Sequence, residues 1–184
     1  MRILTLHCDY IKFKALKKAV KDIEDTTSKE AEVKECLVVL TSIEQGDTIQ
    51  TIHQLVQAVD KTAKEVKTDK IVLYPYAHLS SNLAKPSIAL DLLVEAEKEL
   101  KKSFKVTRAP FGYYKEFEFK CKGHPLAELS KTFSSSGDIE VKSKIVAKDE
   151  PIDTSKLLNQ ISRSKLDTSK LKENDHRILG QKLD

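Results

Sequence analysis

Apolar residues recur along this chain at two spacings, and the switch between them outlines the fold. Ile3-Leu4-Thr5-Leu6 is a short apolar run leading into His7-Cys8-Asp9-Tyr10, the pattern of a first strand whose end delivers polar groups. Residues 20–34 are charged, contain serine and threonine, and read as a connection. Cys36-Leu37-Val38-Val39-Leu40 is continuous and β-branched, which predicts a strand buried on both faces and central in its sheet. From Asp47 the spacing changes: Ile49, Ile52, Val56, Val59, Ala63 and Val66 form the stripe of an amphipathic helix, with Asp47 or Thr48 as its cap. Residues 71–74 predict another strand. Ala89, Leu93, Ala96 and Leu100 then mark a second helix that opens at Pro86-Ser87. Strands alternating with helices in this order indicate an α/β layer architecture.

Residues 104–121 read as two strands interrupted by Ala109-Pro110-Phe111-Gly112. In the second, Tyr113, Lys115, Phe117, Phe119 and Cys121 share one parity, while Tyr114, Glu116, Glu118 and Lys120 share the other. Lys115 therefore lies on the apolar face. A lysine there either snorkels to water from the strand's edge or breaks the binary pattern for a functional reason. Every aromatic residue lies at or before Phe133, and Ser134-Ser135-Ser136-Gly137 opens a polar tail, so the compact domain is expected to end there. Within the tail, residues 138–148 suit a strand and residues 154–172 a lysine-rich helix.

Composition narrows the chemistry. The 184 residues are long enough to bury a real core, and a net charge of +4 permits contact with a nucleic-acid backbone without predicting one. Three widely spaced cysteines make no disulfide framework and point to a reducing compartment. The start of the chain shows neither a charged leader nor a long apolar segment, so a cytoplasmic protein without a membrane partner is expected. The five glycines are isolated, which argues against a phosphate-binding loop, and no cofactor is expected. His7, Cys8, Cys121 and His124 have the right chemistry for zinc but not the paired spacings of zinc modules. Cys121 is either a nucleophile or a small buried hydrophobe.

Three segments carry a sharper signal. Tyr74-Pro75-Tyr76-Ala77-His78-Leu79-Ser80-Ser81, Ala109-Pro110-Phe111-Gly112-Tyr113-Tyr114-Lys115 and Cys121-Lys122-Gly123-His124-Pro125-Leu126-Ala127-Glu128 occur in the order and spacing of the N-terminal editing domain of archaeal threonyl-tRNA synthetases. Roughly residues 1 to 133 resemble that family. The resemblance implies a D-aminoacyl-tRNA deacylase-like fold, a mixed β-sheet with packed helices, in which Lys115, Tyr114, His78, Cys121 and Glu128 line an editing pocket. Main-chain groups around Pro75 and Ala77, with Ile43, would hold a seryl moiety. It further implies the serine-bearing 3′ end of tRNA(Thr) as partner, help from the terminal 2′-hydroxyl, and a homodimer. The segment from Asp175 to Asp184 looks like the opening of a synthetase catalytic core. The domains expected are thus residues 1–136 for editing and 137–184 as a tail leading to the remainder of a synthetase.

Hydrolysis of an aminoacyl ester needs no covalent nucleophile, because the bond is already activated; placing water and stabilising the oxyanion suffice. In that scheme the Lys115 ammonium favours negative charge in the transition state and His78 orients the water or the substrate amine. Glu128, on a helix-like segment after Pro125, would pair with Lys115 and hold it. Two other readings use the same residues: a noncatalytic tRNA-binding and dimerisation module, and a free-standing D-aminoacyl-tRNA deacylase.

Overall fold

The structure, a computed structural model, describes residues 1–21 and 29–134. The two tail elements expected from the sequence, and the segment from Asp175 onward, lie outside the described residues. The elements are β1 (Arg2–Lys18), β2 (Glu30–Ser42), α1 (Ile49–Val66), β3 (Lys70–Pro75), a 3-10 turn (Ala77–Leu79), α2 (Pro86–Leu100), β4 (Lys105–Arg108), β5 (Tyr113–Cys121) and β6 (Glu128–Thr132). They build the α/β architecture expected, one mixed sheet with both helices packed on it.

The sheet runs β4-β3-β2-β1-β5, with β6 also on β1. Strands β2, β3 and β4 are parallel, joined through α1 and α2, whereas β1 pairs antiparallel with β2, β5 and β6. β2 is the middle strand, as its unbroken apolar run predicts. Leu37 and Val39 face a core shared with the helices, which includes Ile52, Leu55, Val59, Ala63, Leu93, Ala96 and Leu100. Cys36, Val38 and Leu40 face a second cluster with Leu6, Cys8, Phe13, Val72 and Tyr74.

The helices follow their stripes closely. All four apolar positions predicted for α2 are buried. Pro86 opens α2, where its missing N–H is no loss. In α1 the buried face is shifted: Leu55 is inside and Ile49 is exposed. Thr48 is the cap, accepting from Gln50 N at 3.3 Å while Thr51 Oγ1 accepts from Thr48 N at 3.2 Å. Asp47 instead accepts from the Glu44 amide at 2.6 Å and from the Met1 ammonium at 2.7 Å.

Three expectations are corrected. β1 does not end at residues 7–10 but continues to Lys18, and residues 30–34 are strand rather than connection. Lysines and glutamates on the outer parity disguise this ribbon, whose inner positions pair Ile11 with Val33 and Phe13 with Ala31. Glu128 opens strand β6, opposite Leu6, and not a helix. The open edge of β1 from Arg2 to Leu6 offers a ladder of hydrogen bonds that a short segment after Pro125 fills more readily than it forms an isolated helix.

Leu93 is 1% exposed at the centre of the helix-side core. Leu93→Ala should lower unfolding free energy by about 2–5 kcal/mol in urea titration. Val94→Ala, one position round the helix at 44% exposure, should stay within about 0.5 kcal/mol of wild type.

Candidate functional site

Five chain segments meet around one cavity of about 470 Å³, one of them Ala19 and Val20 just past β1. β2 contributes Thr41 and Ser42 and leads into Ile43. The end of β3 contributes Pro75 and the segment after it Tyr76, Ala77 and His78; the start of β5 contributes Tyr113, Tyr114, Lys115 and Phe117; the first turns of α2 close it with Pro86, Ala89 and Leu93. Pro75 is the last residue of β3, Tyr76 N still donates to Thr41 O of β2 at 2.8 Å, and the chain then turns into the 3-10 turn. Before β5, Gly112 takes φ +74°, a left-handed conformation that costs a glycine little, so Phe111 and Lys115 come to the same cavity.

Lys115 is the electrostatic centre of the site. Its Nζ donates to Pro110 O at 2.9 Å and Tyr113 O at 3.2 Å, and lies 5.1 Å from the centroid of the Tyr74 ring. Among the described residues no carboxylate lies within ion-pair distance of it, and burial pushes its pKa down from 10.5 to about 8. Tyr74 is itself buried, and desolvation raises its phenol pKa above the usual range. His78 is exposed, its ring set edge-on against Tyr76 with centroids 5.3 Å apart. Tyr114 is 57% exposed at the rim, under the Lys17 ammonium at 5.4 Å from its ring.

Of the residues named from the sequence, Lys115, His78, Tyr114, Pro75, Ala77 and Ile43 line this cavity together. Cys121 and Glu128 do not. Lys115 is paired with Ala15 of β1 and Cys121 with Cys8; six residues along a strand span about 20 Å. Glu128 lies farther along β1, opposite Leu6. Its expected ion pair with Lys115 is thus replaced, within one chain, by the two main-chain carbonyls. Cys121 faces His7 O at 3.5 Å, with its pKa raised chiefly by burial.

The candidate zinc ligands have other partners. His7 Nδ1 and His124 Nε2 are 2.8 Å apart, bonded to each other, and Cys8 is buried. Among the described residues no group of three or more His, Cys, Asp and Glu side chains is arranged to hold a metal ion. Asp9 is engaged by Lys122 and Lys120, away from the cavity. A larger depression of about 680 Å³ lies over the β1–β2–β5 ribbon, but its four glutamates (Glu30, Glu32, Glu116, Glu118) outnumber its two lysines (Lys12, Lys14), and it holds none of the candidate groups. Lining residues to which the sequence pattern assigned no site role include Phe111, Phe117, Leu83, Ala84, Ala19 and Val20. The parity of β5 already aligned Phe117 with Lys115; nothing in the pattern marked Leu83 or Ala84.

Comparison with known proteins adds to this geometry. The threonine--tRNA ligase of Thermococcus onnurineus is 42% identical over 151 residues, covering 79% of this chain and 24% of that protein. A threonine--tRNA ligase of Methanococcus maripaludis is 44% identical over 152 residues, 80% of this chain and 24% of that one. The threonine--tRNA ligase editing subunit of Aeropyrum pernix is 45% identical over 142 residues, 76% of this chain and 34% of that one. The chain thus spans about a quarter to a third of the length of these relatives. Among solved structures, one titled c-Myc DNA Unwinding Element Binding Protein matches with a TM-score of 0.56 at 10% identity, covering 73% of this chain and all of that one, a likeness of fold alone. Residues 1–133, which contain every wall of the cavity, match the model of the archaea-specific editing domain of threonyl-tRNA synthetase, and the chain belongs to that family.

Proposed function

We propose that this chain is a proofreading hydrolase that removes serine from mischarged seryl-tRNA(Thr). The observation that carries the reading is the half-buried Lys115 ammonium, set in one cavity with the main chain of Pro75 and Ala77 and with His78. Family membership and identity to an editing subunit support it. Residues 1–136 form the editing unit, and the tail from residue 137 connects it to the remainder of a synthetase. The chain acts in the cytoplasm as a homodimer, for which the half-exposed, parallel rings of Phe117 and Phe119 offer apolar surface. Among the described residues no helix is long and apolar enough to cross a membrane.

In the proposed reaction the seryl group lies against Ile43 and the peptide groups of Pro75 and Ala77. Water, oriented by His78 and assisted by the terminal 2′-hydroxyl of the tRNA, attacks the ester carbonyl carbon. The carbonyl π-electrons move to oxygen, and Lys115 stabilises that developing charge. Collapse breaks the acyl–oxygen bond. The ribose oxygen leaves and takes up the proton released by the water, giving free serine and an uncharged 3′ end. Tyr114 forms the rim. Peptide groups held by β2 and β3 measure a side chain more strictly than mobile side chains do, so serine fits and threonine, larger by one methyl, is refused. A single methyl is worth about 1–3 kcal/mol in a site built for threonine, which is why a second, smaller site is needed. Glu128 and Cys121 act on Lys115 only if some arrangement beyond the single chain brings them to it.

Deacylation of matched L-seryl- and L-threonyl-tRNA by the chain and by Lys115→Met tests this. Serine should be released rapidly and threonine slowly. The substitution should cost on the order of a hundredfold or more in kcat with tRNA binding retained. Tight tRNA binding without serine release would make the chain a docking module, and preferential cleavage of D-aminoacyl esters would make it a D-aminoacyl-tRNA deacylase.

The pH dependence follows from Lys115. If the ammonium is the working form, the enzymatic rate corrected for spontaneous hydrolysis should fall as pH rises through about 8; a rise through the same pH would make the free amine a general base instead.

Stability should move the other way. The folded pKa lies below the unfolded value, so between about 8 and 10.5 the unfolded chain binds a proton that the folded chain does not, and stability rises with pH there. Below that window the full cost of burying the ammonium is present. Lys115→Met should therefore melt no lower than wild type at pH 7, and a clear drop in Tm would show that the two carbonyl hydrogen bonds outweigh desolvation.

A further inference from the structure

The cavity has two walls that are separate in sequence, and they are joined by one side-chain hydrogen bond. One wall is Ile43, just past β2; the other is Ala77 and His78 in the 3-10 turn after β3. At one end the walls are tied by Tyr76 N to Thr41 O, at 2.8 Å. At the other end Gln45 N donates to Asn82 O and Ala84 N to Ile43 O, both at 3.0 Å, around a bridge between Glu44 and Leu83. Between these ties the turn is crossed by Ser80, whose hydroxyl donates to the Glu44 carboxylate and accepts from Asn82 N at 3.1 Å.

Glu44 is a fixed anchor. Its carboxylate is 12% exposed and is also bound by the Met1 ammonium at 3.0 Å and by Arg2 Nε at 3.0 Å, both at the start of β1. Ser80 is thus fastened through Glu44 to the sheet itself. Charge-assisted hydrogen bonds of this kind are about twice as strong as neutral ones, and a carboxylate held from several sides does not swing.

We propose that the Glu44–Ser80 bond sets the separation of the Ile43 and Ala77–His78 walls, and that Glu44 and Ser80 are positioning residues that determine whether the site refuses a side chain one methyl larger than serine. The inference rests on the reading of this cavity as the aminoacyl pocket. Neither residue needs to touch the reacting atoms. With the bond intact the turn cannot move away from Ile43, and a β-methyl meets a wall. With it removed, the turn hangs on main-chain ties at its two ends and yields to the extra methyl.

The test compares wild type with Ser80→Ala, Glu44→Ala and Glu44→Gln on seryl- and threonyl-tRNA, with kcat and KM measured separately and folding checked by thermal melting. In Ser80→Ala and Glu44→Ala the threonyl ester should gain about tenfold in kcat/KM relative to the seryl ester, the size of a one-methyl discrimination. The gain should appear mainly as a lower KM for the threonyl ester. Glu44→Gln, still an acceptor for Ser80, should keep the wild-type ratio. Equal slowing of both esters with an unchanged ratio would show a merely structural role and overturn the proposal. If wild type hydrolyses neither ester, the hydrolase reading fails separately, and binding of amide-linked seryl- and threonyl-adenosine carries the test. A seryl preference that is lost in Ser80→Ala supports the clamp, and equal affinity of wild type for both analogues overturns it.

Discussion

Everything at the candidate site depends on a kink in the long β1–β2 ribbon, fastened by Lys122. Up to Cys8 the even-numbered residues of β1 face the second core; beyond it Ile11 and Phe13 do. In β2 the same exchange separates Cys36 and Val38 from Val33 and Ala31. The flip falls at Asp9, where the β1–β5 register slips by one, and at its neighbour Glu35, which takes φ +51°. Non-glycine residues rarely adopt that conformation, so something must hold it. Lys122 bonds both Asp9 and Glu35, and Lys120 adds a second cation on Asp9. Exposed pairs of this kind contribute little singly, but here one lysine closes the bulge from both strands.

That kink decides which side chains share a face with the cavity. Without it a one-residue slip would turn Ile11 and Phe13 to water. With it, β5 lays Lys115 opposite Ala15, Phe117 opposite Phe13 and Phe119 opposite Ile11. Phe13 and Phe117 then pack against Tyr74, and the Lys115 ammonium lies over the same ring. The pattern violation at Lys115 is therefore built in, because the residue occupies a core parity and is kept from the surface by aromatic neighbours. Two carbonyls and a ring face offset part of the lost hydration, and the downward displacement of its pKa shows that they do not offset all of it.

What the sequence disclosed, and what it hid, follows from range. The stripe of α2, the central β2 run and the parity of β5 are local periodicities, and each appears in the structure. The β1–β2 ribbon was hidden because Lys12, Lys14, Glu30 and Glu32 make its outer face as charged as a loop, while the inner partners are separated by a connection that periodicity cannot close. Glu128 was misread for a related reason: an isolated Pro-Leu-Ala-Glu segment looks like a helix start, and only the free edge of β1, more than a hundred residues earlier, makes it a strand. Six of the residues named from the sequence line one cavity because each sits near the end of a strand or in the turn beside one. The two that did not gather, Cys121 and Glu128, lie at the far end of β1, a distance that spacing in sequence does not express.

In the proposed function, the composition of the cavity walls suits discrimination between small side chains. On that reading the charged group comes from one strand, while the measuring surfaces are the end of β2, the exit of β3 and the turn that follows. Pro75 and Tyr76 continue the line of β3 against Thr41, so these peptide groups are as rigid as the sheet. Flexible side chains on those walls would adjust to an added methyl, whereas main chain tied into a ladder can move only by breaking hydrogen bonds. Separating the charge from the measuring surface lets each be tuned alone: burial around Tyr74 sets the ammonium, and the ties between residues 41–45 and 76–84 set the space in front of it.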